Sequence, residues 1–292
     1  MTNVSGFNDA VVTARKKLED GRQRLKQQHE SGSPGIQVCT GIADLFDEII
    51  LSMYELAIEQ VTQDESQRTE LEQVTGIVAH GGFGRRDVAP YSDIDLMLLC
   101  QRSDAPLVPE LARVFSQNIY DVGLQLGFAT RNVKEASSLG LKDAKIFTSL
   151  IESRFLTGSK ELYHDFFTRF RRRSRNRWKH LLRLVYTARH EERLQYGDTV
   201  HLLKPNIKRS RGTLRDLQFV RWLGFTMNDK AQPANKLEIT KCSTGAFDIR
   251  FEQMNRVTIL QAFFVSGSID QSNEMLPAVA GTSTESCEEI EV

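Results

Sequence analysis

The stretch Gly76–Cys100, GIVAHGGFGRRDVAPYSDIDLMLLC, limits what this chain can fold into more than any other. Two apolar runs, Ile77–Ala79 and Ile94–Cys100, have strand length, and the second reads as a strand buried on both faces. Gly81-Gly82 ends the first run, and FGRRDVAP suits one helical turn before Pro90. The second strand nonetheless opens Ser92-Asp93-Ile94-Asp95. Residues i and i+2 of a strand share a face, so Asp93 and Asp95 present two carboxylates together while Ile94 and Leu96 turn to the core. The strand rise spaces the pair by about 7 Å.

Two uncompensated carboxylates at the mouth of an apolar strand are costly. Divalent cations remove that cost, and Mg²⁺ favours a few carboxylates plus substrate phosphate oxygens over a closed protein cage. Gly81 and Gly82 lack a Cβ, which lets backbone N–H groups approach a phosphate closely. Ser92 adds a hydroxyl beside them. A solitary D-x-D more often marks a strand entry, and a solitary Gly-Gly says less still. Both together, with ten residues between Gly82 and Asp93, point to a nucleoside triphosphate held by backbone and metal. The reaction expected is at phosphorus.

The rest of the chain is expected to be largely helical. Val11, Val12, Leu18 and Leu25 recur at helical spacing, and ESGSPG (Glu30–Gly35) breaks the pattern. Ile42, Leu45, Phe46, Ile49, Ile50, Met53, Leu56 and Ala57 then form one wide apolar stripe. PELARVFSQNIYDVG reads as a helix and LQLGFATRNV as a third strand. AKIFTSLIESRFLTG and ELYHDFFTRF read as helices parted at Gly158. The basic run Arg169–Arg193 carries an apolar stripe that includes Trp178, expected to be core. Its cationic face reads as solvated, with steering of an acidic partner or a triphosphate as the sharper alternative. No clear period follows Asp229 beyond a strand or helix near Val257–Val265, and GTSTESCEEIEV reads as a disordered acidic tail.

Composition narrows the classes. The 292 residues hold 38 Lys+Arg against 38 Asp+Glu, so bulk charge offers no case for nucleic acid or membrane. Cys39, Cys100, Cys242 and Cys287 form no C-x-x-C pair, and Cys100 is expected to be a small buried hydrophobe. No apolar stretch reaches about 18 residues, and no signal peptide is visible. A cytoplasmic protein is the expectation.

GGFGRRDVAPYSDIDLMLL resembles the nucleotidyltransferase signature of the DNA polymerase beta-like superfamily. More narrowly, it is similar to the bacterial protein-PII uridylyltransferases, the bifunctional uridylyltransferase/uridylyl-removing enzymes. The likeness continues, in the family's order, through Tyr120–Ala136, Asp143–Gly158 and Leu203–Leu223, and covers about residues 10–224. It implies an α/β fold: a small mixed sheet of the polymerase beta-like nucleotidyltransferase type, flanked by N- and C-terminal helical regions. It also implies a two-metal reaction that moves UMP from UTP to a tyrosine of the PII nitrogen-regulatory protein, with Mg²⁺ as cofactor. Asp93 and Asp95 would be catalytic metal ligands. Gly81, Gly82, Arg85, Ser92, Lys208 and Arg215 would bind nucleotide. Another acceptor, or an impaired paralogue that binds nucleotide or PII without catalysis, are the alternatives.

The chain departs from the family pattern in several places. Gln125 and Phe128 stand where Glu and His are usual, leaving Asp121 as a weak candidate for a third carboxylate. Two glycines are missing from the turn Ser210–Thr213. His164-Asp165 reads as surface. The chain ends before the family's HD and ACT domains, from which neither uridylyl removal nor direct control by glutamine is expected. The organisation expected is a helical region over 1–73, a nucleotidyltransferase domain over 74–160, a helical substrate-binding region over 161–229, and an unassigned, partly disordered tail over 230–292. Arg131, on the third strand, is expected to pair with Asp93 or Asp95 or to be structural.

Overall fold

The computed structural model describes residues 4–196, 208–209, 214–227, 237–241, 247–251 and 288–290. Two helices open the chain, α1 (Val4–Glu30) and α2 (Gly35–Val61). The apolar stripe of α2 is buried along its length, from Ile42 to Ala57. A short α3 (Glu65–Val74) begins at Asp64, whose side chain accepts the Gln67 N–H. It feeds β1 (Thr75–Ala79), the one-turn α4 (Gly81–Gly84) and β2 (Ile94–Cys100).

Helix α5 (Val108–Val122) ends at Gly123 in the left-handed conformation, followed by β3 (Leu126–Asn132). Helices α6 (Val133–Leu139) and α7 (Ala144–Ile151) precede β4 (Arg154–Gly158). Then come α8 (Lys160–Asn176) and α9 (Trp178–Tyr196).

Four strands form one mixed sheet in the order β3-β2-β1-β4. β1 runs antiparallel to both β2 and β4, whereas β2 and β3 are parallel. The small mixed sheet flanked by helices is the architecture expected from sequence. Ile77, Ala79, Leu96, Leu98 and Cys100 share one core with α1, α2 and α5. Val78, Met97 and Leu99 are buried on the opposite face, where α6 contacts β2 and β3, and α8 contacts β1, β2 and β4. Cover on both faces explains why β2 is a nearly unbroken apolar run.

Several expectations need correction. Arg154–Gly158 is a strand, not the end of a helix. Its backbone completes the open side of β1, and that pairing outweighs the local helical pattern. The helical turn after β1 starts at Gly81, two residues before the Phe83 at which FGRRDVAP begins. Asp93 lies just before β2 rather than inside it. Trp178 is 36% exposed at the start of α9, while Leu181 and Val185 of the same stripe are buried. Asp121 sits in the last turn of α5, where the helix read over PELARVFSQNIYDVG puts it. His164 is exposed on α8 and Asp165 pairs with Arg169, in keeping with a surface reading.

The chain divides into two compact units at Ala188/Arg189, within α9. The second unit includes α10 (Leu214–Met227) and a three-stranded sheet of β5 (Leu237–Lys241), β6 (Phe247–Phe251) and β7 (Glu288–Ile290). β7 falls within the stretch expected to be a disordered tail. The Ser210–Thr213 turn and the Val257–Val265 segment lie outside the described residues. Among the described residues, no helix is long and apolar enough to cross a membrane.

Candidate active site

The site begins where β1 ends. Gly81 has φ +61°, a left-handed conformation that a Cβ would penalise. The reason it must be glycine is also a neighbour: a methyl there would come within 2.8 Å of Asp95 Oδ2 and 3.1 Å of Ser149 Oγ. On the other side, a methyl on Gly127 would come within 2.6 Å of Asp95 Oδ1. Gly127 is the register partner of Asp95 across the parallel β2–β3 pair. The Asp95 carboxylate therefore lies between two residues that have no side chain. Asp93 is exposed two residues earlier, at the strand entrance.

Hard oxygen donors at an open strand mouth fit Mg²⁺. Among the described residues, no three His, Cys, Asp or Glu side chains gather into a metal cage. A cation at Asp93 and Asp95 would take its remaining ligands from substrate and water. Gln125, just before β3, has its carbonyl accept the Ile94 N–H at 2.9 Å.

The other predicted residues are placed as follows. Gly82 follows Gly81 in α4. Its carbonyl accepts the Asp87 N–H at 2.9 Å, which closes the turn. Ser92 Oγ accepts the Ala89 N–H at 3.1 Å, so it shapes the approach to Asp93. Arg85 is only 11% exposed and is paired with Glu152, itself 2% exposed, with Asp87 at 3.6 Å. That ion pair ties the turn to α7's end.

Lys208 and Arg215 belong to the second unit. The Arg215 N–H donates to the Lys208 carbonyl at 3.1 Å. The Arg215 guanidinium donates to Gln218 Oε1 and lies over the Trp222 ring. Asp216 accepts from Arg189 Nε at 2.9 Å, in keeping with a local pairing role.

Two further participants, His80 and Ser149, carry no motif of their own. His80 Nδ1 lies 2.7 Å from Ser149 Oγ, and the His80 N–H donates to the Asp95 carbonyl. Burial, and then the charge of Arg131, push the His80 pKa down to about 4, so the ring is neutral near neutral pH; a hydrogen bond to the Leu96 backbone opposes this. Ser149 sits on α7, far away in sequence, with no chemical signature around it. Glu152 and Arg154 did have a signal, as the charged pair in ESR before an apolar step, but the helix reading obscured it.

Comparison with known proteins bears on this site from two directions. A family model described as GlnD PII-uridylyltransferase matches residues 180–254, beyond the strand mouth. The chain is 30% identical over 214 residues to the bifunctional uridylyltransferase/uridylyl-removing enzyme of Azospirillum brasilense, covering 73% of this chain and 23% of that enzyme. It is 28% identical over 247 residues to the enzyme of the same description from Caulobacter vibrioides, covering 82% and 26%. With that of Aromatoleum aromaticum it shares 31% over 220 residues, covering 73% and 23%. The chain thus spans about a quarter of the length of the curated relatives it matches. By sequence it is a relative of the PII-uridylyltransferase family.

Proposed function

We propose that this chain is a nucleotidyltransferase that moves UMP from UTP to a tyrosine hydroxyl of the PII regulatory protein, in the cytoplasm and with Mg²⁺. The observation that carries the reading is the Asp95 carboxylate set between Gly81 and Gly127, with Asp93 at the strand entrance. The relatives' description supplies the uridylyl group.

In the transfer, the tyrosine oxygen bonds to the α-phosphorus of UTP. The bond from that phosphorus to the bridging oxygen breaks, pyrophosphate leaves, and the tyrosine proton passes to solvent. Asp93 and Asp95 would hold the metal, whose contribution is to neutralise charge on the phosphates and to favour the ionised acceptor oxygen. The backbone of Gly81 and Gly82 would face the triphosphate, with Ser92 holding the loop that leads to Asp93.

A pair of carboxylates with no third gathered to it among the described residues favours one other reading, that of a chain that binds nucleotide and does not transfer it. Incorporation of labelled UMP into purified PII separates the two. The wild-type chain with Mg²⁺ is expected to label PII, and Asp93→Ala/Asp95→Ala to label it at least about 100-fold more slowly. A folded wild-type chain that binds UTP without labelling PII or releasing pyrophosphate would leave the binding reading. Pyrophosphate release with PII unlabelled would point to a different acceptor.

A further inference from the structure

The turn that carries Gly81 and Gly82 does not hold its shape by itself. Arg86, five residues after Gly81, has φ +65°. An arginine in that left-handed region is strained and persists only where its surroundings enforce it. The surroundings come from α2. Arg86 pairs with Asp44, and its Nη1 lies 3.3 Å from Asp47 Oδ2.

Asp47 also receives both arms of Arg154, at 2.8 and 2.9 Å. This is the parallel two-bond geometry that gives arginine–carboxylate pairs their directional strength. Arg154 in turn reaches the Phe83 carbonyl at 3.4 Å and lies over the Phe83 ring. Asp47 is 17% exposed and Arg154 25%, so solvent screens this cluster only partly. Apolar contacts run alongside, with Phe46 of α2 against Phe83 at 6.2 Å between ring centroids. Further out, Arg22 of α1 lies over the Tyr91 ring.

We propose that Asp47 is a positioning residue for the transfer site: through Arg86 and Arg154 it holds the strained turn that sets Gly81, Gly82 and the run into Asp93. The helical hairpin at the start of the chain then supports the active site through Asp47. This rests on the nucleotidyltransferase reading only for its consequence in catalysis; the clamp itself can be tested without any reaction.

The turn's own amides report on it. The N–H groups of Arg85, Arg86 and Asp87 donate to the carbonyls of Gly81, Phe83 and Gly82 at 3.2, 3.1 and 2.9 Å. In hydrogen exchange on the full chain without nucleotide, Asp47→Asn is expected to speed exchange at these three amides by about tenfold or more. The amides of Ile94–Cys100 should keep their protection. Adding Arg86→Gly should slow the turn again, because glycine adopts φ +65° without a clamp. An ion pair that merely stabilised the fold would show no such rescue.

Unchanged exchange in Asp47→Asn, or faster exchange on adding Arg86→Gly, overturns the proposal. If Asp47→Asn does not fold, Arg154→Lys keeps the charge but loses the two-armed geometry, and is expected to loosen the same three amides. Loss of protection in β2 together with the turn in both variants also overturns it. UMP transfer should fall with Asp47→Asn and recover in part with Arg86→Gly. A turn that loosens as expected in a chain with no transfer activity would sink the functional reading and leave the clamp standing.

Discussion

β2 and β4 flank the same strand, β1, and both run antiparallel to it, yet they contribute in different ways. β2 is central and buried on both faces, and its one acidic residue, Asp95, stands at the end where the chemistry is proposed. β4 is an edge strand of half-buried residues. Its end brings in Arg154, and the α7 turn just before it brings in Glu152, each paired with a charge on another element. One flank presents a carboxylate to the outside. The other supplies the charges that hold the turn between β1 and β2. The likeness to the family touches both, through Gly81–Leu99 on one flank and Asp143–Gly158 on the other.

The supporting flank should fail first in stability. Replacing Glu152 by Gln leaves the Arg85 guanidinium buried without its anion, which is expected to destabilise the fold by about 3–5 kcal/mol in urea unfolding. A loss under 1 kcal/mol would mean that Asp87 takes over the pairing, and that this flank supports less than its burial implies.

His80 touches both flanks, through Ser149 on one side and Asp95 on the other. Its pKa is about 6.5 in an unfolded chain and about 4 in the fold. Between those values the unfolded state binds the extra proton. Stability therefore falls as pH drops from about 6.5 to about 4 and is level above that window, with His80 contributing up to about 3 kcal/mol of the loss. His80→Gln should flatten this limb of a stability–pH curve. An unchanged slope would assign the acid sensitivity to other groups.

The presenting flank should fail in rate instead. In Gly127→Ala the new methyl meets the movable end of Asp95 rather than backbone. The carboxylate can swing aside at little cost in folding, and UMP transfer is expected to fall about 100-fold. A variant that loses stability but keeps its specific activity would reverse the assignment of the two flanks. At the small end, Trp178→Ala on the half-exposed start of α9 should change stability by no more than about 0.5 kcal/mol. A loss of several kcal/mol would restore the expectation that Trp178 is core.

Part of the presenting flank was legible in the sequence. The apolar run marked β2, the glycines marked a close approach, and the stripe from Ile42 to Ala57 identified a helix that is buried along that face, while Asp93, read as sharing the strand's face with Asp95, lies just before the strand. These are local regularities: a period of two or 3.6 residues is written directly into neighbouring positions. The limits of local reading appear at β4, where AKIFTSLIESRFLTG has a helical pattern throughout. Only the unpaired edge of β1 decides that its last residues extend.

The same holds for the partners of the charged groups. Nothing near Asp47 in sequence names Arg154, 107 residues away, and nothing near His80 names Ser149. Local sequence determined the two strands, the turn and the carboxylate pair. The tertiary structure decided which charges neutralise one another, because pairing energy depends on distance and burial in space, and a chain can satisfy a buried charge with any residue its fold brings within reach.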